Sequence, residues 1–167
     1  MYRMSNLTGI YARLVRVRSD GWWALPLRLI VGFGFMEHGY AKLARGVDSF
    51  IGILQALHMP AAPFLAWATI LTELIGGFCV LAGAFLPLVS LPMAAVLVVA
   101  IFTVHLPNGF FANWSGQQKG EGYEYHLLAI ALALVVMIKG SGAFSIDHVL
   151  SRSERSVALK AAAATAR

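Results

Sequence analysis

Residues 64–106 read FLAWATILTELIGGFCVLAGAFLPLVSLPMAAVLVVAIFTVHL, an almost wholly apolar run whose one formal charge is Glu73. A helix rises about 1.5 Å per residue, so the run is roughly 65 Å long as helix, about twice a ~30 Å hydrocarbon core. It is therefore read as two membrane spans, folded back near Leu86-Pro87-Leu88. Glu73 falls close to the middle of the first. A carboxylate at that depth costs roughly 2.5–3.5 kcal/mol on insertion scales, so it needs a partner, a proton or a function.

Two more apolar stretches flank this pair, one from Ala24 to Ala41 and one from Tyr125 to Ile138. Across the 167 residues 59% are hydrophobic and only 13% charged, outside the usual balance of soluble domains. The expected fold is an all-α membrane protein: a four-transmembrane-helix bundle preceded by an N-terminal interfacial amphipathic helix. Residues 1–23 form that amphipathic segment, 24–148 the membrane domain, and 149–167 a polar, alanine-rich tail.

The net charge is +5, but its distribution points to topology rather than to nucleic acid, for which no motif is present. Arg3, Arg13, Arg16 and Arg18 precede the first span, and Lys139, Arg152, Arg155, Lys160 and Arg167 follow the last. The other side carries only Lys42, Arg45 and Lys119. By the positive-inside rule both termini are expected in the cytoplasm, with attraction to anionic membrane lipid. The first ~20 residues hold scattered arginines and no apolar h-region, so they do not read as a cleaved signal. Leu7, Ile10, Tyr11, Leu14 and Val15 instead fall at helical spacing, with Trp22 and Trp23 at the interface.

Span one enters at Leu25-Pro26 and leaves at Lys42; Val47 to His58 reads as a helix on the outer surface. Span two starts near Phe64 and ends at Pro87; span three runs from Leu88 to Leu106. The polar loop Pro107 to Gly122 faces outward, with Phe110, Phe111 and Trp114 dipping into the interface. Span four begins near Gly122 and stops at Gly140-Ser141-Gly142. Cys79 is the single cysteine, which excludes dithiol chemistry by this chain alone and reads as a small buried hydrophobe.

Height along the spans groups the polar residues. Measured up from the cytoplasmic side, Arg28 lies at ~6 Å, Glu73 ~20 Å, His38 ~21 Å, Glu124 ~24 Å, His105 ~26 Å and Lys42 ~27 Å. His38, Lys42, Glu73, His105 and Glu124 thus share one layer in the outer third of the bilayer. At about 100° per residue Arg28, Gly32, Phe35, Gly39 and Lys42 make one stripe of span one, with His38 at its edge and Glu37 opposite. The stripe around Glu73 is Ala66, Thr69, Gly76, Gly77 and Val80, small enough for close helix approach, so Glu73 is expected to face inward. Glu124 and His126 cannot both face inward. Glu124 is placed in the layer and His126 at the interface. Arg28 is expected to anchor the cytoplasmic end on lipid phosphate, and Lys42 has the option of snorkelling outward.

These residues resemble a known family. Arg28-Leu-Ile-Val-Gly32-Phe-Gly-Phe35-Met-Glu-His38-Gly39-Tyr-Ala-Lys42-Leu43 is similar to the first-span signature of DoxX family membrane proteins, and Glu73-Leu-Ile-Gly76-Gly77 followed by Gly83 to their second. His105-Leu-Pro-Asn108-Gly109-Phe110-Phe111, Gly122-Tyr-Glu124-Tyr125-His126 and Gly140-Ser-Gly142-Ala-Phe-Ser145-Ile146-Asp147 resemble the later motifs. Glu37 departs from the pattern, where that position is uncharged. The resemblance implies a four-helix membrane bundle in the bacterial inner (plasma) membrane. It also implies an association with quinone or oxidative redox chemistry.

The leading functional reading is a redox-associated membrane protein, an oxidoreductase subunit or quinone-handling protein, with a polar pocket in the outer third of the bilayer. Glu73 and Glu124 are the candidate catalytic proton carriers; His38, Lys42, His105 and Tyr125 are the candidate ligand contacts, with Lys42 or His105 donating to headgroup carbonyls. No flavin, nicotinamide, iron–sulfur or paired-thiol motif is present and no metal site is assigned, so electron transfer would need a redox partner protein or a bound cofactor. Haem between His38 and His105 is the weaker cofactor option beside quinone. A small-solute or proton transporter and a non-catalytic scaffold for soluble redox enzymes are the alternative classes.

Overall fold

A computed structural model describes residues 21–150; the amphipathic segment read at residues 1–20 and the tail at 151–167 lie outside the described residues. Every regular element among the described residues is helical. We number them α1 (Ala24–Ala44), α2 (Val47–Ala56), α3 (Ala62–Ala82), α4 (Leu86–Asn108) and α5 (Glu124–Lys139), and a final helical turn follows at 146–150. Two of them, α3 and α4, are long and apolar enough to cross a membrane by length and composition.

The reversal between α3 and α4 falls at Gly83–Phe85, earlier than the Leu86-Pro87-Leu88 expected from the proline. Gly83 takes a left-handed conformation (φ +68°) that ends α3, with Gly83 N–H donating to Val80 O and Ala84 N–H to Cys79 O. Pro87 then lies in the first turn of α4, where its missing N–H costs nothing.

Contacts run α1 to α3, α3 to α4, α4 to α5 and α5 back to α1, and α2 packs on the start of α3. Val31, Phe35, Val80, Leu86, Met93, Leu97, Ala129 and Val136 fill the space between them. Adjacent glycines let α3 meet two neighbours. Gly77 faces Gly32 of α1, while Gly76 faces Met93 of α4. Leucine and phenylalanine cover the outward surfaces: Leu29, Phe33, Phe64, Phe78, Leu91, Phe102 and Leu128 are all exposed. That is the arrangement of a chain whose outside is as apolar as its core, where packing and internal hydrogen bonds drive association.

Arg28 is not the lipid anchor expected from its height. It is 2% exposed. Its five N–H groups reach five backbone carbonyls: Nε to Val80 at 3.2 Å, Nη1 to Ser141 and Ala143 at 3.0 Å, Nη2 to Leu81 and Phe144 at 2.9 Å. Val80 and Leu81 are in the last turn of α3, where carbonyls lack the usual i+4 helical N–H; Val80 O accepts from Gly83 N–H as well. The other three belong to the turn after α5. The Asp147 carboxylate accepts from Phe85 N–H at 3.1 Å, and Asp147 N–H donates to Gly83 O at 3.1 Å. The segment Gly140 to Asp147 is therefore a clasp that ties the ends of α1, α3 and α5 to the start of α4.

Candidate functional site

Two helices change pitch at the polar layer. Within α3, Thr72–Gly76 is π-helical; within α4, Ile101–His105 is π-helical and is followed by a 3₁₀ turn, Leu106–Asn108. A π turn carries an extra residue, weakens the local ladder and is frequent at functional positions. Each of these holds one polar residue read from the sequence, Glu73 in the first and His105 in the second.

Glu73 points inward and is 5% exposed. Its carboxylate accepts from Lys42 Nζ at 2.8 Å (Oε1) and 2.7 Å (Oε2), the one ion pair among the described residues. A helical side chain leans toward its own N-terminus, so Lys42 reaches back along α1 instead of snorkelling outward. Lys42 Nζ also lies 3.4 Å from His38 O and 5.4 Å from the centre of the Phe50 ring of α2. Gly39 makes room: a methyl group there would stand 3.1 Å from Glu73 Cβ. A two-oxygen contact with a cation is the partner that a carboxylate at this depth requires.

Beside the pair runs a row of polar rings from three helices. His38 of α1 lies 5.7 Å, centre to centre, from Tyr125 of α5. Tyr125 lies 5.7 Å from His126, and His126 lies 4.0 Å from His105 of α4. His38 and Tyr125 are on the exposed flank, whereas His126 is 9% exposed. The expectation that His126 sits at the interface is thus corrected: it takes the inward position on α5, one stripe with Ala129, Ala133 and Val136.

Glu124 turns the other way. Its Oε2 accepts from Ala112 N–H at 3.1 Å, so it holds the loop between α4 and α5 and joins neither Lys42 nor a histidine. Glu121 assists, with Oε2 accepting from Asn113 N–H at 2.8 Å and its backbone O lying 2.8 Å from His105 Nδ1. The structure therefore brings Lys42 and Glu73 into contact, sets His38, Tyr125 and His105 in one row, and leaves Glu124 as a loop brace. His126 is the member the sequence reading missed; the spacing His126, Ala129, Ala133, Val136 was the signal for it. The His38 and His105 rings named for haem are joined only through Tyr125 and His126 in this row.

Comparison with known proteins adds the following. The family model described as DoxX matches residues 23–106. The chain is 28% identical over 131 residues to the protein named "Putative oxidoreductase CatD" of Bacillus subtilis (strain 168), covering 78% of this chain and 89% of that one. No solved structure gives a significant match.

Proposed function

The chain belongs to the DoxX family, and from that membership we propose a membrane protein associated with redox chemistry that handles an amphipathic ring of the quinone class. In this reading α1, α3, α4 and α5 each cross the bacterial inner membrane, and both termini are cytoplasmic, as the arginine and lysine distribution favours. Helix α2 and the loop 109–123 then lie on the outer side. The 16-residue α5 is short for a span, and the flanking Tyr123 and the turn after Gly140 extend it toward the interfaces.

The observation that carries the proposal is the Lys42–Glu73 pair, whose buried carboxylate sits in a π-helical turn, beside the row His38, Tyr125, His126 and His105. A ring-shaped headgroup has polar edges and flat apolar faces, and the row offers both hydrogen-bonding atoms and ring surfaces. Interconversion of a quinone and its quinol moves two protons and two electrons. In this reading Glu73 and Lys42 exchange the protons, supported by their direct contact. The electrons require a partner or a bound cofactor, and similarity to a protein named an oxidoreductase supports that association.

A solute path through the protein is less favoured. Among the described residues the one buried cation below Glu73 is Arg28, all five of whose N–H groups are engaged, and the other buried polar side chain on α1, α3, α4 and α5 there is the hydroxyl of Ser90. The test is thermal stability of the purified protein in mild detergent with quinones of several ring types. A rise in Tm with one of them, absent in Glu73→Gln measured while that variant is folded, is expected; no shift with any quinone contradicts the proposal.

A further inference from the structure

The hydrogen-bonding capacity of the site selects one form of such a ring. The donors expected to meet a headgroup carbonyl are already occupied. Lys42 Nζ donates to both oxygens of Glu73 and lies against His38 O. His105 Nδ1 is 2.8 Å from the backbone oxygen of Glu121. A carbonyl oxygen only accepts, so Nδ1 carries the proton, and in a neutral imidazole the other nitrogen, Nε2, is then an acceptor.

The His126 ring, tilted against that of His105 with centres 4.0 Å apart, makes no hydrogen bond among the described residues, and its Nδ1 is sealed from solvent without a partner. A buried polar atom left unpaired is costly, more so where no water is at hand. A lone pair at Nδ1 leaves Nε2 of His126 as a donor; the opposite tautomer makes it an acceptor. In either state His105 Nε2 is an acceptor with no donor among the described residues. With Nε2 of His126 as the donor, a hydroxyl that donates to His105 Nε2 and accepts from His126 Nε2 matches both rings; with the opposite tautomer it matches His105 alone. A carbonyl oxygen presents a lone pair to the His105 lone pair and leaves it unmatched.

We infer that His105 and His126 form a subsite for a hydroxyl group, so that the site binds the reduced, hydroxyl-bearing form of its ring in preference to the dione. The inference rests on the proposed ring-binding function and narrows it. Sites built to hydrogen-bond a hydroxyl discriminate strongly against analogues without one, and the expected preference here is at least about ten-fold in Kd.

The test compares a short-chain quinol with its own quinone, titrated into the full chain in detergent under anaerobic conditions at pH 8, where free imidazole is neutral. Binding of both, with the quinol at least about ten-fold tighter, and loss of that preference in His126→Phe or His105→Phe, supports the subsite. The two variants are alternatives in case one does not fold, and the wild-type ratio needs neither. Equal binding of both forms, or a quinol preference unchanged in the folded variants, overturns the subsite and leaves the ring-binding function standing. Binding of neither form overturns both.

Discussion

Gly32 of α1 and Gly77 of α3 stand face to face: a methyl group on either would lie 2.7 Å from the other's carbonyl oxygen. It is a close backbone approach between the two helices that carry Lys42 and Glu73. Nearer the ion pair, Gly39 leaves the space that Glu73 Cβ and Leu74 occupy.

Gly32→Leu and Gly77→Leu are therefore expected to destabilise the protein by about 1–3 kcal/mol or more, as overpacking does. They should also loosen the Lys42–Glu73 contact. Gly52 lies in α2 with nothing within 4 Å of the added atom, so Gly52→Ala is expected to be neutral or slightly stabilising. Tm in detergent for the three variants checks both statements.

Arg28 should not tolerate replacement by lysine. An ammonium group has three donors and no planar fork, and cannot reach carbonyls of both the α3 terminus and the 141–144 turn. Arg28→Lys and Arg28→Met are each expected to cost about 3–5 kcal/mol by leaving buried groups unpaired. Size-exclusion profiles and Tm after extraction would reveal it. Equal stability of Arg28→Lys and the wild type would mean the clasp is dispensable.

The pair itself is best read by a double-mutant cycle. Lys42→Met and Glu73→Gln should each destabilise, and the double variant should recover part of the loss, because removing one partner strands the other while removing both does not. Additive losses in Tm would indicate that the residues do not interact.

Glu124 gives a contrasting prediction. Its carboxylate braces Ala112 N–H, so Glu124→Ala, which removes the acceptor, should release the loop while leaving the helices intact. A hydrogen bond to a charged group contributes about 1.5–3 kcal/mol, so amide exchange across 109–123 should quicken roughly ten-fold or more with little change in Tm. Hydrogen–deuterium exchange with peptide resolution measures it.

What the sequence made legible was the apolar framework. Hydropathy placed α3 and α4 within a few residues, glycine spacing predicted the inward face of α3, and height arithmetic put Glu73 and Lys42 in one polar layer, about 7 Å apart in height. Three features escaped it, each for a physical reason. The π turns at Thr72–Gly76 and Ile101–His105 add a residue to the helical phase without any residue type that signals it. Arg28 looked like an interfacial cation because its partners are backbone carbonyls, which have no sequence signature. Glu124 was assigned to the layer by its height; the loop gives its carboxylate a backbone donor at Ala112, outside the helix packing, and the apolar stripe of α5 carries His126 inward instead. The segments 1–20 and 151–167 lie outside the described residues, so the amphipathic reading of the N-terminus stands as an expectation.

The central claim is that the Lys42–Glu73 pair and the adjoining rings enclose a ligand and not merely one another. Photo-crosslinking with an azido-quinone in native membranes, followed by peptide mass spectrometry, tests it most directly. The account predicts adducts concentrated on the segments holding Glu73 and Tyr125-His126, removed by excess unlabelled quinone and lost in Glu73→Gln. Labelling spread over the outward faces at Phe78, Leu91 and Phe102, undiminished by competitor, would contradict it.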